Sequence, residues 1–444
     1  VKLLIIDQDD VGLNLAWRSA QAGHQVRLFT DPKHAKHRTA EGWTGVTRVE
    51  NFLSYAGWAD VIFPTSNQKY IEKLDALRRD GAHVFGPTVR SAALEIKRSD
   101  GMRFLEDHGI DVPPYKQFNS LADAESYVWK RPERYVFKTL GDNEDKSLSY
   151  CSRNAADMIA RLERWQAIGM NPKGPVMLQE FIEGIELGVS CWLGVEGRIG
   201  PWNENFEHKR LMSAKHGSGC GPNTGEMGTV MQYVRESKLA EAVLEPLIDS
   251  LVRMGHSGDV DVNCIIDEKG KAWPLELTTR AGWPAFNIQI ASHKGDPVKW
   301  MEDAITGGID TLQVSHDVAV GVVIAQPDFP YDQKKPDEVG GIPIYGVDRG
   351  NARYLAPQGV RMQSMPVMDG QAVTRQTIWT TSSTYVAVAT GLGTTVQQAR
   401  DRAYKVVESI HLANAIYRDD IGEELERTLP ILHEHGYTSE MNYG

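Results

Sequence analysis

Lysines, carboxylates and an arginine recur along this chain at spacings that a phosphate-handling centre would use. Glu276 stands near the end of the stretch Trp273-Pro274-Leu275-Glu276-Leu277-Thr278-Thr279-Arg280, with Thr278 two residues on and Arg280 two beyond that. Alternate side chains of a strand share a face, so these three point the same way. Asp261 and Asn263 repeat the two-residue spacing in the preceding apolar segment, and Glu268-Lys269-Gly270 reads as a turn joining the two strands. Oxygen ligands so placed suit Mg²⁺ (or Mn²⁺) bridging nucleotide phosphates, with the arginine stabilising charge in transfer.

Upstream, Lys138 closes a strand-like segment and Lys146 follows eight residues later across a polar loop, a pair that can clamp phosphates. Gln179-Glu180-Phe181, then Gly184 and Glu186, offer backbone groups beside an apolar wall for adenine and a carboxylate for ribose hydroxyls. Each feature alone has a plainer reading: a solvated hairpin edge, surface acids, ordinary lysines. Their order carries more: lid lysine, lid-loop lysine, Glu-Phe hinge, Gly-x-Glu, Glu-x-Thr-x-Arg. That order is similar to the ATP-grasp superfamily, whose members activate a carboxylate as an acyl phosphate and let an amine attack it.

The elements that would hold these residues follow from periodicity. Leu3–Ile6, Gln25–Phe29, Asp60–Phe63 and His83–Phe85 read as strands and Val11–Ala22 and Tyr70–Asp80 as helices, which predicts a parallel sheet covered on both faces. A helical stretch spans Val89–His108. Tyr135–Lys138 and Ser147–Cys151 read as strands and Ala155–Trp165 as a helix, together a small α+β lid. Val176–Phe181, Leu187–Val195, Val260–Ile266 and Ala272–Leu277 read as strands, with Glu236–Met254 a long amphipathic helix. Ala319–Ile324, Arg353–Tyr354 and Tyr385–Ala389 as strands and Val396–His411 as a closing helix suggest a separate C-terminal α+β domain. The expected units are an α/β domain over residues 1–96, an ATP-grasp domain over 97–312 with its lid at about 116–177, and a C-terminal domain over 313–444.

Composition limits the rest. The 444 residues are 41% hydrophobic and 24% charged, as in a globular protein of several packed units. A net charge of -11 disfavours an extended nucleic-acid groove. The N-terminal VKLLIID reads as a strand rather than a signal peptide, and no apolar run reaches membrane-helix length. Four widely spaced cysteines without a CxxC suggest a reduced, cytoplasmic chain. Small-molecule partners are expected, with the chain a monomer or homo-oligomer.

Glu207-His208-Lys209-Arg210, followed by Gly221-Pro222-Asn223-Thr224-Gly225-Glu226-Met227-Gly228, closely resembles the HKR…GPNTGGMG signature of the phosphoribosylamine–glycine ligase family. Val84-Phe85-Gly86-Pro87-Thr88, Leu392-Gly393-Thr394-Thr395-Val396 and Arg418-Asp419-Asp420-Ile421-Gly422 extend the resemblance over nearly the whole chain. It implies a biotin-carboxylase-like N-terminal domain, an ATP-grasp domain with its lid and a C-terminal domain, acting with ATP and Mg²⁺. Lys97, Arg98, Lys138 and Lys146 would hold phosphates, and Gln179, Glu180, Phe181 and Glu186 the nucleoside. Glu276 and Thr278, with Asp261 or Asn263, would hold metal, while Arg280 and Lys209 stabilise the acyl phosphate. Gly221 to Gly225 and Trp283 would meet substrate.

Four stretches depart from the family. Asp7-Gln8-Asp9-Asp10-Val11-Gly12 stands where the family has a glycine-rich loop, putting carboxylates where a helix N-terminus would welcome an anion. The lid loop from Gly141 to Lys146 carries Asp142, Glu144 and Asp145 in place of flexible glycines and alanines. The family's metal-binding Asn is Thr278, and the acid expected near the amino-acid ammonium is Trp283. Ser383-Thr384-Tyr385 replaces a Gly-Gly-Arg. The reading that follows is an ATP-dependent carboxylate–amine ligase acting on an amino acid, glycine or similar, with a changed amine acceptor. The genuine purine-synthesis ligase and a catalytically lapsed nucleotide-binding protein are the alternatives.

Overall fold

The computed structural model describes residues 1–140, 149–170, 172, 174–213, 221–308 and 312–444. At the N-terminus, strands Val46–Val49, Gln25–Thr30, Lys2–Asp7 and Val61–Pro64 form a parallel sheet in that order. Leu3 and Ile5 pack with Leu13 and Leu15 of the helix Leu13–Gln21, whereas Leu4 and Ile6 face Phe29, Phe52 and Tyr70. The unbroken apolar run of the first strand is therefore buried on both faces, as a parallel strand requires. His83–Phe85, expected as a strand, contributes a single bridge from Val84 to Ile62.

The helical stretch from Val89 breaks at Lys97 into Val89–Ile96 and Arg98–Asp107. Gly101 permits the tight fold-back, since a Cβ there would lie 2.3 Å from the Leu94 carbonyl oxygen. The lid is a four-stranded sheet, Tyr115–Phe118, Val176–Glu180, Tyr135–Thr139 and Tyr150–Cys151, with its own core around Phe137, Leu162 and Trp165. Lys146 and the acids of the lid loop lie outside the described residues. The long helix expected over Glu236–Met254 is instead Lys238–Val243, the 3₁₀ turn Glu245–Leu247 and Ile248–Arg253. Pro246 has no N–H to donate and interrupts it.

The central sheet has eight strands: Ala272–Thr278, Gly258–Ile266, Ile185–Gly194, Gly197–Glu207, Gly228–Val234, Val318–Ala325, Tyr385–Gly393 and Leu355–Pro357, in spatial order. It runs straight across residue 313. Every residue of Val318–Ala325 is buried, and the strand pairs on both sides, so the C-terminal segment continues the sheet rather than building its own. Arg353 and Tyr354 lie in a 3₁₀ turn just before the last of these strands. A hairpin of Val360–Asp369 and Ala372–Thr381 has no counterpart in the sequence reading, because its half-exposed faces carry no apolar alternation. Its Trp379 packs on Trp17 and Trp43, tying it to the N-terminal sheet. Among the described residues no helix is long and apolar enough to cross a membrane.

His256 joins the N-terminal helices to the central sheet, with Nδ1 3.0 Å from Ser91 Oγ and Nε2 3.2 Å from the Asp259 carbonyl. Burial pushes its pKa from 6.5 down to about 4, against the opposing bond to Asp259. Between those values the unfolded chain binds a proton that the folded chain refuses, so this group makes stability fall as pH drops from 6.5 towards 4. His256→Gln is expected to flatten the melting-temperature profile over that interval relative to the parent chain. Parallel profiles would count against the assignment.

Candidate active site

The carboxylate side of the site is built on facing strands. Asn263 pairs with Glu276 and Asp261 with Thr278, which puts all four on one face of the hairpin. From the strand Gly197–Glu207 the chain runs directly into Lys209, whose ammonium enters the same face. Lys209 Nζ lies 2.8 Å from Glu186 Oε1, 3.0 Å from Glu207 Oε2 and 3.6 Å from Glu276 Oε1. Burial opposes this charge, but the three carboxylates outweigh it and hold the lysine's pKa well above its ordinary value. Arg98 Nη2 reaches Glu276 Oε2 at 3.3 Å. One lysine and one arginine thus meet the carboxylate expected to hold metal.

Glu276, the Thr278 hydroxyl and Asn263 present hard oxygen donors. Asn263 Nδ2 donates to Glu207 Oε2 at 2.7 Å, leaving its Oδ1 buried without a partner. A buried orphan oxygen beside a carboxylate fits Mg²⁺. Asp261 is engaged elsewhere. It accepts from Asn205 Nδ2 at 2.8 Å, and burial, then Glu207, push its carboxyl well above the usual range. Among the described residues no set of three His, Cys, Asp or Glu side chains is arranged around a metal. Phosphate oxygens and water would complete the shell, as Mg²⁺ prefers.

The signature loop is pinned beneath Lys209. Thr224 donates both its N–H (2.8 Å) and its hydroxyl (2.9 Å) to the Lys209 carbonyl, and Arg210 bridges to Asn223. Leu211 N–H bonds the Pro222 carbonyl, Arg210 Nη1 reaches the Gly221 carbonyl, and Gly221 sits at φ 86. Asn223 and Gly225 are exposed. Glu226, standing where the signature has glycine, is buried and accepts from Thr229. Burial and then Glu207 raise its carboxyl well above the usual range. From the C-terminus, Arg418 grips Asp420 in two bonds of 2.7 and 2.8 Å and reaches the Arg210 carbonyl. Gly422 N–H donates to His208 Nε2. The two family-like stretches, 207–210 and 418–422, therefore lock each other.

Nucleotide-side residues lie on the lid and hinge. Lys138 Nζ donates to Gln179 Oε1 at 2.7 Å across adjacent lid strands. The Arg134 guanidinium stacks 3.4 Å from the Phe181 ring centroid, and the Glu180 N–H bonds the Pro114 carbonyl. A cavity of about 880 Å³ runs from Phe181, Gly184 and Glu186 past Glu207 to the C-terminal helix Leu425–Glu434, whose Leu432 lines it. That volume suits a nucleotide-sized ligand. Lys97 is exposed at the helix break.

Arg280 and Trp283 turn towards the N-terminal sheet. Arg280 Nε lies 3.1 Å from Glu95 Oε1, and Glu95 also accepts from the Thr279 N–H and Asn67 Nδ2. Trp283 Nε1 donates to the Thr65 carbonyl at 3.1 Å. Glu95, Glu207 and Glu226 received no role from the sequence. Glu226 had a visible signal as the substitution inside the signature, whereas Glu95 is one acid among many on a helix.

Comparison with known proteins gives the class of the chain. The model of the phosphoribosylglycinamide synthetase ATP-grasp (A) domain matches residues 100–282, and that of its C domain residues 319–424. This is an ATP-grasp ligase forming a carbon–nitrogen bond, and ATP and Mg²⁺ are its cofactors. Within that class the chain belongs to the phosphoribosylamine–glycine ligase family. It is 26% identical over 441 residues to the Vibrio cholerae phosphoribosylamine–glycine ligase, covering 95% of this chain and 98% of that one. It is 28% identical over 369 residues to the Ralstonia nicotianae enzyme of that name, covering 80% and 81%. A crystal structure of phosphoribosylamine–glycine ligase from Thermotoga maritima matches with a TM-score of 0.70 at 22% identity, covering 95% of this chain and all of that one.

Glu276→Ala removes the carboxylate that Lys209 and Arg98 both contact. ADP formation is expected to fall by about a hundredfold or more. A variant that releases ADP at the parent rate would remove Glu276 from the metal and phosphate site.

Proposed function

We propose that the chain joins the carboxylate of a small amino acid, glycine first, to a primary amine at the expense of ATP. The observation that carries this is Lys209 fixed among Glu186, Glu207 and Glu276, two of which, Glu186 and Glu207, also line the nucleotide-sized cavity. A carboxylate oxygen of the amino acid attacks the γ-phosphorus and ADP leaves. The amine nitrogen then attacks the acyl carbon, the carbon–oxygen bond to phosphate breaks, and inorganic phosphate departs as the amine gives up one proton. Lys209 and Arg98 offset phosphate charge from opposite sides of Glu276, and Lys138 approaches from the lid. Glu276 and Asn263 Oδ1 would hold Mg²⁺, which would supply charge neutralisation for the nucleotide phosphates.

The relatives are phosphoribosylamine–glycine ligases, which favours phosphoribosylamine as the acceptor, and the near full-length match to the Vibrio cholerae enzyme supports it. A changed acceptor has a specific observation of its own. Asp7 is fully buried, and its carboxylate accepts the N–H groups of Asp9, Val11 and Gly12 at 3.3, 3.0 and 2.8 Å. Those donors belong to the loop that leads into the helix Leu13–Gln21, so the loop turns its N–H groups onto its own carboxylate rather than towards a ligand. ADP release with Mg-ATP separates the readings. Glycine is expected to raise it at least about tenfold over the rate without amino acid once an accepted amine is present. Full turnover with phosphoribosylamine would establish the relatives' reaction. No glycine-dependent release with any amine would sink the ligase assignment.

A further inference from the structure

The N-terminal sheet reverses its strand order between Lys2–Asp7 and Val61–Pro64, and in open parallel sheets ligands bind outside the carboxyl ends of the strands at such a point. The crevice there is bounded by the loops 8–12 and 65–69. It adjoins the reaction centre: Trp283 bonds the Thr65 carbonyl, and Asn67 Nδ2 reaches Thr279 Oγ1 at 3.3 Å, three residues past Glu276.

Its wall is rich in hydrogen-bond acceptors. Asp7 takes the Val11 and Gly12 N–H groups just before the helix and also accepts from Thr65 Oγ1. Gly12 keeps that approach open, since a Cβ there would lie 3.1 Å from Asp7 Oδ2. Asp10 holds the left-handed conformation a glycine would adopt, at φ 65, yet carries a carboxylate. Its Oδ2 accepts from Thr39 and meets His37, and Thr39 Oγ1 lies 2.6 Å from Ser382 Oγ. The acidic loop and the polar C-terminal stretch, distant in sequence, therefore form one wall. Two buried oxygens of this crevice have no partner: Asp10 Oδ1, on a residue 3% exposed, and Asn67 Oδ1, on a residue 1% exposed. Asn67 cannot be turned around, because its amide N–H groups face the Glu95 carboxylate and the Thr279 hydroxyl. Orphan buried acceptors call for donors from a ligand.

Resting on the ligase reading, we infer that this crevice is the acceptor subsite and takes a primary amine whose remaining groups are hydroxyl or ammonium donors rather than a phosphate. A phosphate here would lie beside the Asp10 carboxylate and the Asp9–Lys33 pair, with the Asp9, Val11 and Gly12 N–H groups already taken by Asp7. A hydroxyl or second ammonium would satisfy Asp10 Oδ1 and Asn67 Oδ1.

Hydroxylamine first tests the ligase reading alone: with Mg-ATP and glycine, the full chain is expected to form glycine hydroxamate. Ethanolamine and O-phosphoethanolamine, identical but for the phosphate, are then compared as acceptors by glycine-dependent ADP release. The uncharged-tail amine is expected to win by at least about tenfold in kcat/KM, the scale of a like-charge clash. Asp10→Asn is expected to shrink that ratio by about fivefold or more. Hydroxamate formation with preference for the phosphorylated amine, or with no preference, including no turnover of either, overturns the inference and leaves the ligase standing. Absence of hydroxamate overturns both.

Discussion

The site depends on one compensation of charge. Glu186, Glu207 and Glu276 come from three strands of the central sheet, and their carboxylates converge on the Lys209 ammonium. Without Lys209 the strands would bring like charges together in a partly buried space, and the mutual repulsion would push protons onto them, as burial and Glu207 already do to Glu226 and Asp261. The lysine's position is in turn fixed through its backbone, since its carbonyl accepts two bonds from Thr224. That explains why the histidine-lysine-arginine stretch and the glycine-rich loop occur together: one supplies the charge and the other holds it in register.

The C-terminal segment belongs to this arrangement. Its strands extend the sheet that carries the carboxylates, and Arg418 and Gly422 bond the residues on either side of Lys209. A shift of the C-terminal elements would therefore shift the ammonium. The lid differs, having a separate sheet and a separate core. Lys138, on a lid strand, reaches Gln179 on its neighbour, so the lid can approach nucleotide phosphates as a unit while the Lys209 cluster stays fixed.

Much of this was legible in the sequence because the signals are local. The two-residue spacing of Asp261 with Asn263 and of Glu276 with Thr278 places them on one face whatever the fold, and the hairpin register aligns the pairs. The apolar run Leu3–Ile6 is enough to predict a parallel strand. What sequence alone did not yield is non-local. Glu95 acquires meaning only when its helix meets the end of the Glu276 strand. Val318–Ala325 looks like the start of a new domain until its pairing on both sides places it mid-sheet. Pro246 was visible, yet amphipathic spacing on either side of it outweighed the missing N–H in the reading.

Three of the departures from the family pattern, the acidic loop 7–12, Trp283 and the stretch 383–385, are the most instructive case, because they are distant in sequence and close in space. Asp7 meets Thr65, Thr65 meets Trp283, Asp10 meets Thr39, and Thr39 meets Ser382 beside the substituted Ser383-Thr384-Tyr385. The acceptor proposed above would give that clustering a single cause. The activating half of the site handles ATP and a carboxylate and needs the same charges whichever amine follows. The proposed accepting half has to complement only the amine, and there Asp10 combines a left-handed backbone with a carboxylate.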